Sequence, residues 1–367
     1  MITKRIIFHV PFKLGYAISG GGIRPGKLIQ AFHDLGYIVD VVSGTKAQRI
    51  ESMNAIMENM RNGINYDFCY AETSVLPTML TEKGNKAFYP FVDFDFFRFV
   101  KDRGTPLGLF YRDIYWRFKY YQKDHPFLER MRRIFFYHLD LWYYGRMLDT
   151  LFLPSQELAE YLPASLREIA LECPPGHDIK CVVDRPLPQS AKDLSILYVG
   201  GVSTPVYDIS PLMKLGKTIP VTVCCRKEEW NTYQPHYEPW TKNVNIRHIH
   251  GNELSDLYGQ VSLSSIVRVD HDYLSFASPL KLYEAVGQNI PLLVSRGTRA
   301  ARFVEDNNIG WTVENDFSDL NLDRLIHEYP EKVENLKTIK DAHSWTARAT
   351  LIRDNLLKHR TDRHTYV

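Results

Sequence analysis

The segment Ser278–Pro291, reading SPLKLYEAVGQNIP, carries the side chains best spaced for chemistry. It follows a polar turn (Asp270, His271, Asp272) and precedes the apolar run Leu292–Val294, in the order strand, loop, helix, strand. That order puts Pro279 in the first turn of a helix, where its missing N–H is harmless. Free amides and the positive helix end around Ser278, Pro279 and Leu280 then suit an anion such as a diphosphate. Lys281 and Glu284 are three positions apart and share one helix face beside that end. A cation for phosphate next to a carboxylate for a ribose diol would make a nucleotide-sugar site. The competing reading is an ordinary amphipathic helix with Leu280, Leu282, Tyr283 and Val286 as its core face.

Such a helix needs a sheet to position it. The first half alternates strand-like runs (Arg5–Val10, Tyr37–Val42, Tyr66–Ala71, Leu107–Tyr111, Leu151–Leu153) with helix-like ones. A glycine loop, Gly20-Gly21-Gly22, leads to a helix bearing Leu28, Ile29, Phe32 and Leu35 and ended by Gly36; a second helix covers Lys46–Arg61. A polar, proline-bearing stretch at Val183–Asp193 reads as a linker. Strands resume at Leu194–Val199, Pro220–Cys225, Val244–Ile249, Leu263–Val269, Ile290–Val294 and Trp311–Val313, and a helix closes the chain from about Ile339 to Leu357. The alternation predicts an α/β protein of two Rossmann-like, doubly wound domains. Their strands' carboxyl ends would face each other across a cleft, where such folds bind ligands.

Composition narrows the class. The 367 residues suffice for two domains, and 44% hydrophobic with 24% charged residues is ordinary for a globular chain. A net charge of +2 carries no nucleic-acid signal. No apolar run approaches the roughly 20 residues needed to span a bilayer, and the start MITKRIIFHVPF lacks the long apolar core of a signal peptide. Five scattered cysteines without a CxxC pair read as reduced thiols of a cytoplasmic protein.

Several motifs, taken in order, resemble the GT-B glycosyltransferases, family 4 most of all. They are Gly20–Gly22 before a helix, Tyr111-Arg112-Asp113-Ile114-Tyr115-Trp116, Asp149–Ser155, Pro175-Gly176-His177-Asp178, Leu197-Tyr198-Val199-Gly200-Gly201, the Ser278–Pro291 helix, and Ser344-Trp345. The resemblance implies an acceptor-binding domain at 1–185 and a nucleotide-sugar-binding domain at 193–338. A C-terminal helix within 339–367 would pack back on the first. It implies transfer of a sugar from a nucleotide donor, a UDP- or GDP-sugar, to a glycan or lipid-linked acceptor in surface-polysaccharide synthesis. The reaction would retain configuration and need neither cofactor nor metal. Donor contacts would come from Gly201, Arg226, Ser278, Pro279, Leu280, Lys281 and Glu284. Gly20, Gly21, Gly22 and His177 would serve the acceptor and loops, and Asp113 would act as base or orient the acceptor. His9, at the end of the first strand, reads as structural.

The chain also departs from that pattern. The first of the family's two glutamates is replaced by Phe276, with Asp270 or Asp272 as substitutes. The loop after Val199 carries Ser203, Thr204 and Pro205 where relatives place basic residues, which leaves Arg226, backed by Lys227, as the diphosphate cation. Arg would grip phosphate bidentately and Lys as a point charge. Asp113 could alternatively cap the segment after it.

Rival readings remain open at this level. A metal-dependent GT-A enzyme would use an Asp-x-Asp triplet, and two exist, Asp93–Asp95 and Asp270–Asp272. A P-loop is suggested by Gly21, Gly26 and Lys27, but Leu28 stands where Ser or Thr is required. A sugar-nucleotide-binding scaffold without activity is the third. Finally, Phe110–Arg146 holds 14 of the 47 aromatic residues and eight Lys/Arg against four acids. That mixture suits an anionic membrane surface, or a buried helix with Phe135, Leu139 and Trp142 as its core stripe.

Overall fold

The computed structural model describes residues 4–15, 20–82, 89–118, 125–178, 186–269 and 275–364. The chain forms two compact units, Met1–Pro174 with Trp345–Val367, and Pro175–Ser344.

Each unit is built on a wholly parallel six-stranded sheet. In the first, β1 (Arg5–His9), β2 (Ile38–Val42), β3 (Cys69–Glu72), β4 (Leu107–Phe110), β5 (Thr150–Leu153) and β6 (Ala170–Glu172) lie in the order 2-1-3-4-5-6. In the second, β7 (Ile196–Val199), β8 (Val221–Cys224), β9 (Val244–Arg247), β10 (Leu263–Ile266), β11 (Leu292–Ser295) and β12 (Gly310–Val313) lie in the order 12-11-10-7-8-9. The strands β3, β4, β5, β7, β10 and β11 are buried throughout, as expected of sheets covered on both faces. The doubly wound α/β class expected from sequence is present. Strand β6 was not anticipated, because Ala170–Glu172 is a half-buried edge strand without an apolar run.

The units divide at Pro174/Pro175, ahead of the expected linker, of which 183–185 lie outside the described residues. The reason is local. His177 pairs with Ser344 in an isolated parallel bridge, and its amide donates to the His343 carbonyl at 3.1 Å. The segment after Pro174 is thus tied to residues 343–344 of the second unit. The tail is not one helix from Ile339. One helix, Leu322–Ile339, ends there; a 3-10 turn Lys340–His343 follows, and a new helix runs Trp345–His364. The second helix belongs to the first unit and packs on helix Gly20–Asp34 and on β4. Its buried stripe, Trp345, Ala349, Ile352 and Leu356, follows the helical period. Gly108 in β4 admits it, since a Cβ there would stand 2.9 Å from the Leu356 side chain.

Helix Lys46–Arg61 forms where expected and starts at a capping box between Thr45 and Gln48. Its inward face carries a charge. Arg49 is fully buried and donates to Asp93 through Nε at 2.9 Å and through the terminal nitrogen at 3.0 Å. His9 Nε2 meets the same carboxylate at 2.8 Å. Burial alone would raise the Asp93 pKa; His9 and Arg49 outweigh it and hold the group down at about 2. His9 is therefore structural, as expected. Because the folded pKa lies below the unfolded one, the stabilisation is present above pH ~4 and is lost as pH falls toward 2. Asp93→Asn strands the buried guanidinium and should cost about 3–5 kcal/mol at pH 7 in urea unfolding. The gap to wild type should narrow between pH 4 and 2; a constant gap would assign the loss to packing.

Candidate functional site

In the second unit the strand order reverses between β7 and β10, neighbours whose connections leave in opposite directions. A crevice outside the carboxyl ends is expected at such a reversal. The candidate residues collect on the loops at that edge.

The loop after β7 begins Gly200-Gly201. Tyr198, fully buried, donates its hydroxyl to the Gly201 carbonyl at 2.7 Å. A Cβ at Gly201 would lie 2.9 Å from Glu229 Oε1 and 3.3 Å from the Tyr207 ring, so glycine lets both approach the backbone. Glu229 was not foreseen. Its Oε1 accepts from the amides of Val202 and Ser203 at 3.0 and 3.1 Å. Its Oε2 accepts from Arg226 at 3.0 and 2.6 Å. Burial pushes the Glu229 pKa up, but Arg226 and the Val202 amide prevail and leave it lowered. Arg226, expected to hold a diphosphate, is instead fastened to Glu229, with half its side chain in solvent. Lys227 opens the next helix (Lys227–Tyr237) and is exposed.

The key helix runs Leu280–Gly287, one residue later than the sequence suggested. Pro279 is its N-cap, in extended conformation, rather than part of its first turn. No side chain caps it; Ser278 Oγ turns instead to the Tyr283 hydroxyl at 3.1 Å. Ser278, Pro279, Leu280 and Lys281 are half-buried, whereas Leu282, Tyr283 and Val286 form the core face. Lys281 Nζ binds both Glu284 oxygens, at 2.9 and 2.7 Å, so the two share a face as the spacing required. Tyr258, another residue no spacing could have flagged, donates to Glu284 Oε2 at 3.0 Å. Burial, and then the Glu284 charge, push the Tyr258 phenol well above its usual range. Phe276 is buried. Asp270 and Asp272, the suggested substitutes for the missing glutamate, lie outside the described residues, as does His271.

His177 sits elsewhere. It is buried, its Nε2 faces the Lys340 carbonyl at 2.7 Å, and its ring lies against Gly287 at the far end of this helix. It clips the start of the second unit to its last turn and does not join the uncapped helix end.

In the first unit the order reverses between β1 and β3. At that point Glu72 is buried and accepts from Arg24 Nε at 3.1 Å and from the Tyr70 hydroxyl at 3.0 Å. Burial raises the Glu72 pKa against the opposing Arg24 charge. Asp113 lies three residues past β4 and is half-buried; its Oδ1 accepts the Tyr115 amide at 2.9 Å, a contact two residues on, while Ile114 is the N-cap of the short turn Tyr115–Arg117. Gly20, Gly21 and Gly22 form the first turn of helix Gly20–Asp34 rather than a loop before it. Gly26 and Lys27 lie in the same helix, so no phosphate-cradling loop exists there and the P-loop reading fails. Asp93 is buried against Arg49, while Asp95 is exposed beside Arg98, so this Asp-x-Asp pair does not converge. No cluster of metal-ligating side chains occurs among the described residues.

The aromatic, basic segment contains helix Phe127–Met147. Its buried stripe is Arg133, Tyr137, Asp140, Leu141, Tyr144 and Met147. Of the suggested core residues, Phe135 and Trp142 are exposed, with Phe127, Leu128 and Met131, and Leu139 is half-buried. Arg146 stacks on the Trp142 ring at 3.7 Å and Arg130 on Phe127 at 5.3 Å. No described helix is long and apolar enough to cross a membrane.

Comparison with solved structures supports the architecture. The chain is similar to the Anabaena protein HepE in complex with UDP, with a TM-score of 0.62 and 11% identity, over 96% of this chain and 99% of that one. It is similar to a sucrose-phosphate synthase from Thermosynechococcus elongatus (0.59, 11%, 95% and 97%). It is also similar to WaaG, a glycosyltransferase involved in lipopolysaccharide biosynthesis (0.55, 12%, 96% and 99%). No protein-family profile and no curated protein sequence matches the chain. At such identity the likeness speaks for the fold, which is that of the GT-B glycosyltransferases.

The His177 contact yields a test. Gly287→Ala, normally worth up to about 1 kcal/mol of gain inside a helix, puts a Cβ 2.4 Å from the imidazole. It should instead destabilise by about 1–3 kcal/mol in urea unfolding. Unchanged or increased stability would show the clip to be loose.

Proposed function

We propose that the protein is a glycosyltransferase whose second unit holds a nucleoside-diphosphate sugar. The observation that carries this reading is the uncapped, half-exposed start of helix Leu280–Gly287, with Lys281 and Glu284 paired on its flank. Free amides at a positive helix end stabilise the charge that gathers on a departing diphosphate. The bound UDP of the HepE structure, on a shared fold, is consistent with it.

In the reaction, the bond from the anomeric carbon to the diphosphate oxygen breaks. A bond to an acceptor hydroxyl oxygen forms, and the hydroxyl proton passes to the leaving phosphate. On this reading the configuration is retained and no metal is required. Glu284 releases Lys281 to phosphate and receives the ribose hydroxyls. Asp113 orients the acceptor from the first unit. UDP or GDP should raise the melting temperature in the presence of EDTA, and Lys281→Ala or Glu284→Ala should weaken binding about 10-fold or more. Full affinity in both variants would end the assignment.

The acceptor we infer is a glycan or lipid-linked sugar for surface polysaccharide, met at the cytoplasmic face of a membrane. Support comes from the exposed stripe Phe127, Leu128, Met131, Phe135 and Trp142 beside Arg130, Arg132 and Arg146. Aromatic and cationic side chains together suit an anionic headgroup layer. The protein should co-sediment with phosphatidylglycerol vesicles but weakly with phosphatidylcholine, and Phe127→Ser/Phe135→Ser/Trp142→Ser should abolish it. Equal binding to both lipids, or none, would remove the membrane from the proposal.

A further inference from the structure

The family resemblance calls for a basic residue in the loop after β7, and this chain has none there; Arg226 is tied to Glu229. We infer that Arg268, at the carboxyl end of β10, supplies the missing cation and binds the ligand's diphosphate. The inference rests on the donor-site reading above and names the residue that completes it.

Arg268 is 6% exposed, yet no carboxylate pairs with it among the described residues, and its Nε has no hydrogen-bond partner. Two comparably buried arginines are matched by acids: Arg24 by Glu72 and Arg49 by Asp93. A buried charge without a counter-charge is costly, and the cost is relieved when a ligand brings the anion. The nearby acid on the β7 side, Glu229, already has both oxygens engaged by two amides and Arg226.

The position fits. Arg268 follows β10, one of the two strands that flank the order reversal. Its backbone is pinned on both sides. Its amide donates to Ser295 Oγ at 3.0 Å, at the end of β11, and the next amide, Val269, donates to the Asp208 carbonyl at 2.9 Å. Its guanidinium carbon lies 4.8 Å from the centre of the Tyr207 ring and 5.8 Å from that of Tyr198, the tyrosine that ties down Gly201. The Tyr198 phenol takes one hydrogen bond from the guanidinium, whose fork of five N–H groups leaves others for an oxyanion. Helix Leu280–Gly287 lies in the connection from β10 to β11, so its uncapped start opens on the same edge of the sheet. Arginine and helix amides thus belong to the same edge of the sheet, where one two-phosphate group would meet both.

The experiment is calorimetric titration of the whole protein with UDP, UMP and uridine. Arg268→Gln should weaken UDP about 10- to 100-fold while leaving uridine unchanged, and the preference for UDP over UMP should shrink. Arg268→Lys keeps the charge without the fork and should lose several-fold for UDP alone, which preserves the test should the Gln variant fail to fold. A wild-type protein that binds none of UDP, GDP or dTDP overturns the donor-site reading, and Arg268 with it. A wild type that binds UDP and variants that match it overturn the Arg268 assignment alone, as does an equal loss for UDP and uridine.

Discussion

Reversal of strand order between β7 and β10 is the constraint on which the rest of the second unit depends. A parallel sheet covered on both faces has no room for polar ligands along its length. Only where neighbouring connections diverge does its carboxyl edge open. Gly201, Arg268 and the start of helix Leu280–Gly287 are all consequences of that opening. The first leaves space, the second brings charge, and the third presents bare amides.

Charge is handled differently in the two units. In the first, Arg24 and Arg49 are buried with their carboxylates; one pair locks helix Gly20–Asp34 to β3, the other locks helix Lys46–Arg61 to helix Val92–Lys101. Such pairs act mainly by forbidding alternatives, because breaking one strands the other. In the second unit the comparable buried cation, Arg268, has aromatic neighbours in place of an acid. The acid that could have matched a cation there, Glu229, organises the loop after β7 through Arg226 and two backbone amides. The half-buried pair Lys281–Glu284 lies between these extremes. It is formed, but solvated enough to rearrange at modest cost.

Local sequence signals held where periodicity and capping agree. The strands appeared close to their expected places, helix Lys46–Arg61 began at its Thr45–Gln48 box, and the Lys281–Glu284 contact followed from a spacing of three. Signals failed where a residue's environment is set by the fold around it. Arg226 looked free, although Glu229 is only three residues on, because that carboxylate is held in place by two amides of the loop after β7. His177 looked like a site residue because Gly287 and Lys340, which enclose it, are far along the chain. The exposed stripe of helix Phe127–Met147 was confused with its core because aromatic residues populate both faces.

The sequence by itself determined the class of fold and the place of helix Leu280–Gly287 with its Lys281–Glu284 pair, since alternation, turn residues and helical spacing act within a few positions. It could not determine that Arg268 has no carboxylate partner among the described residues. Pairing depends on which carboxylate the folded chain brings within hydrogen-bond reach, across separations of three residues for Arg226 and forty-four for Arg49. Only the tertiary structure sets those distances, and so only it distinguishes Arg268 from the arginines that hold the protein together.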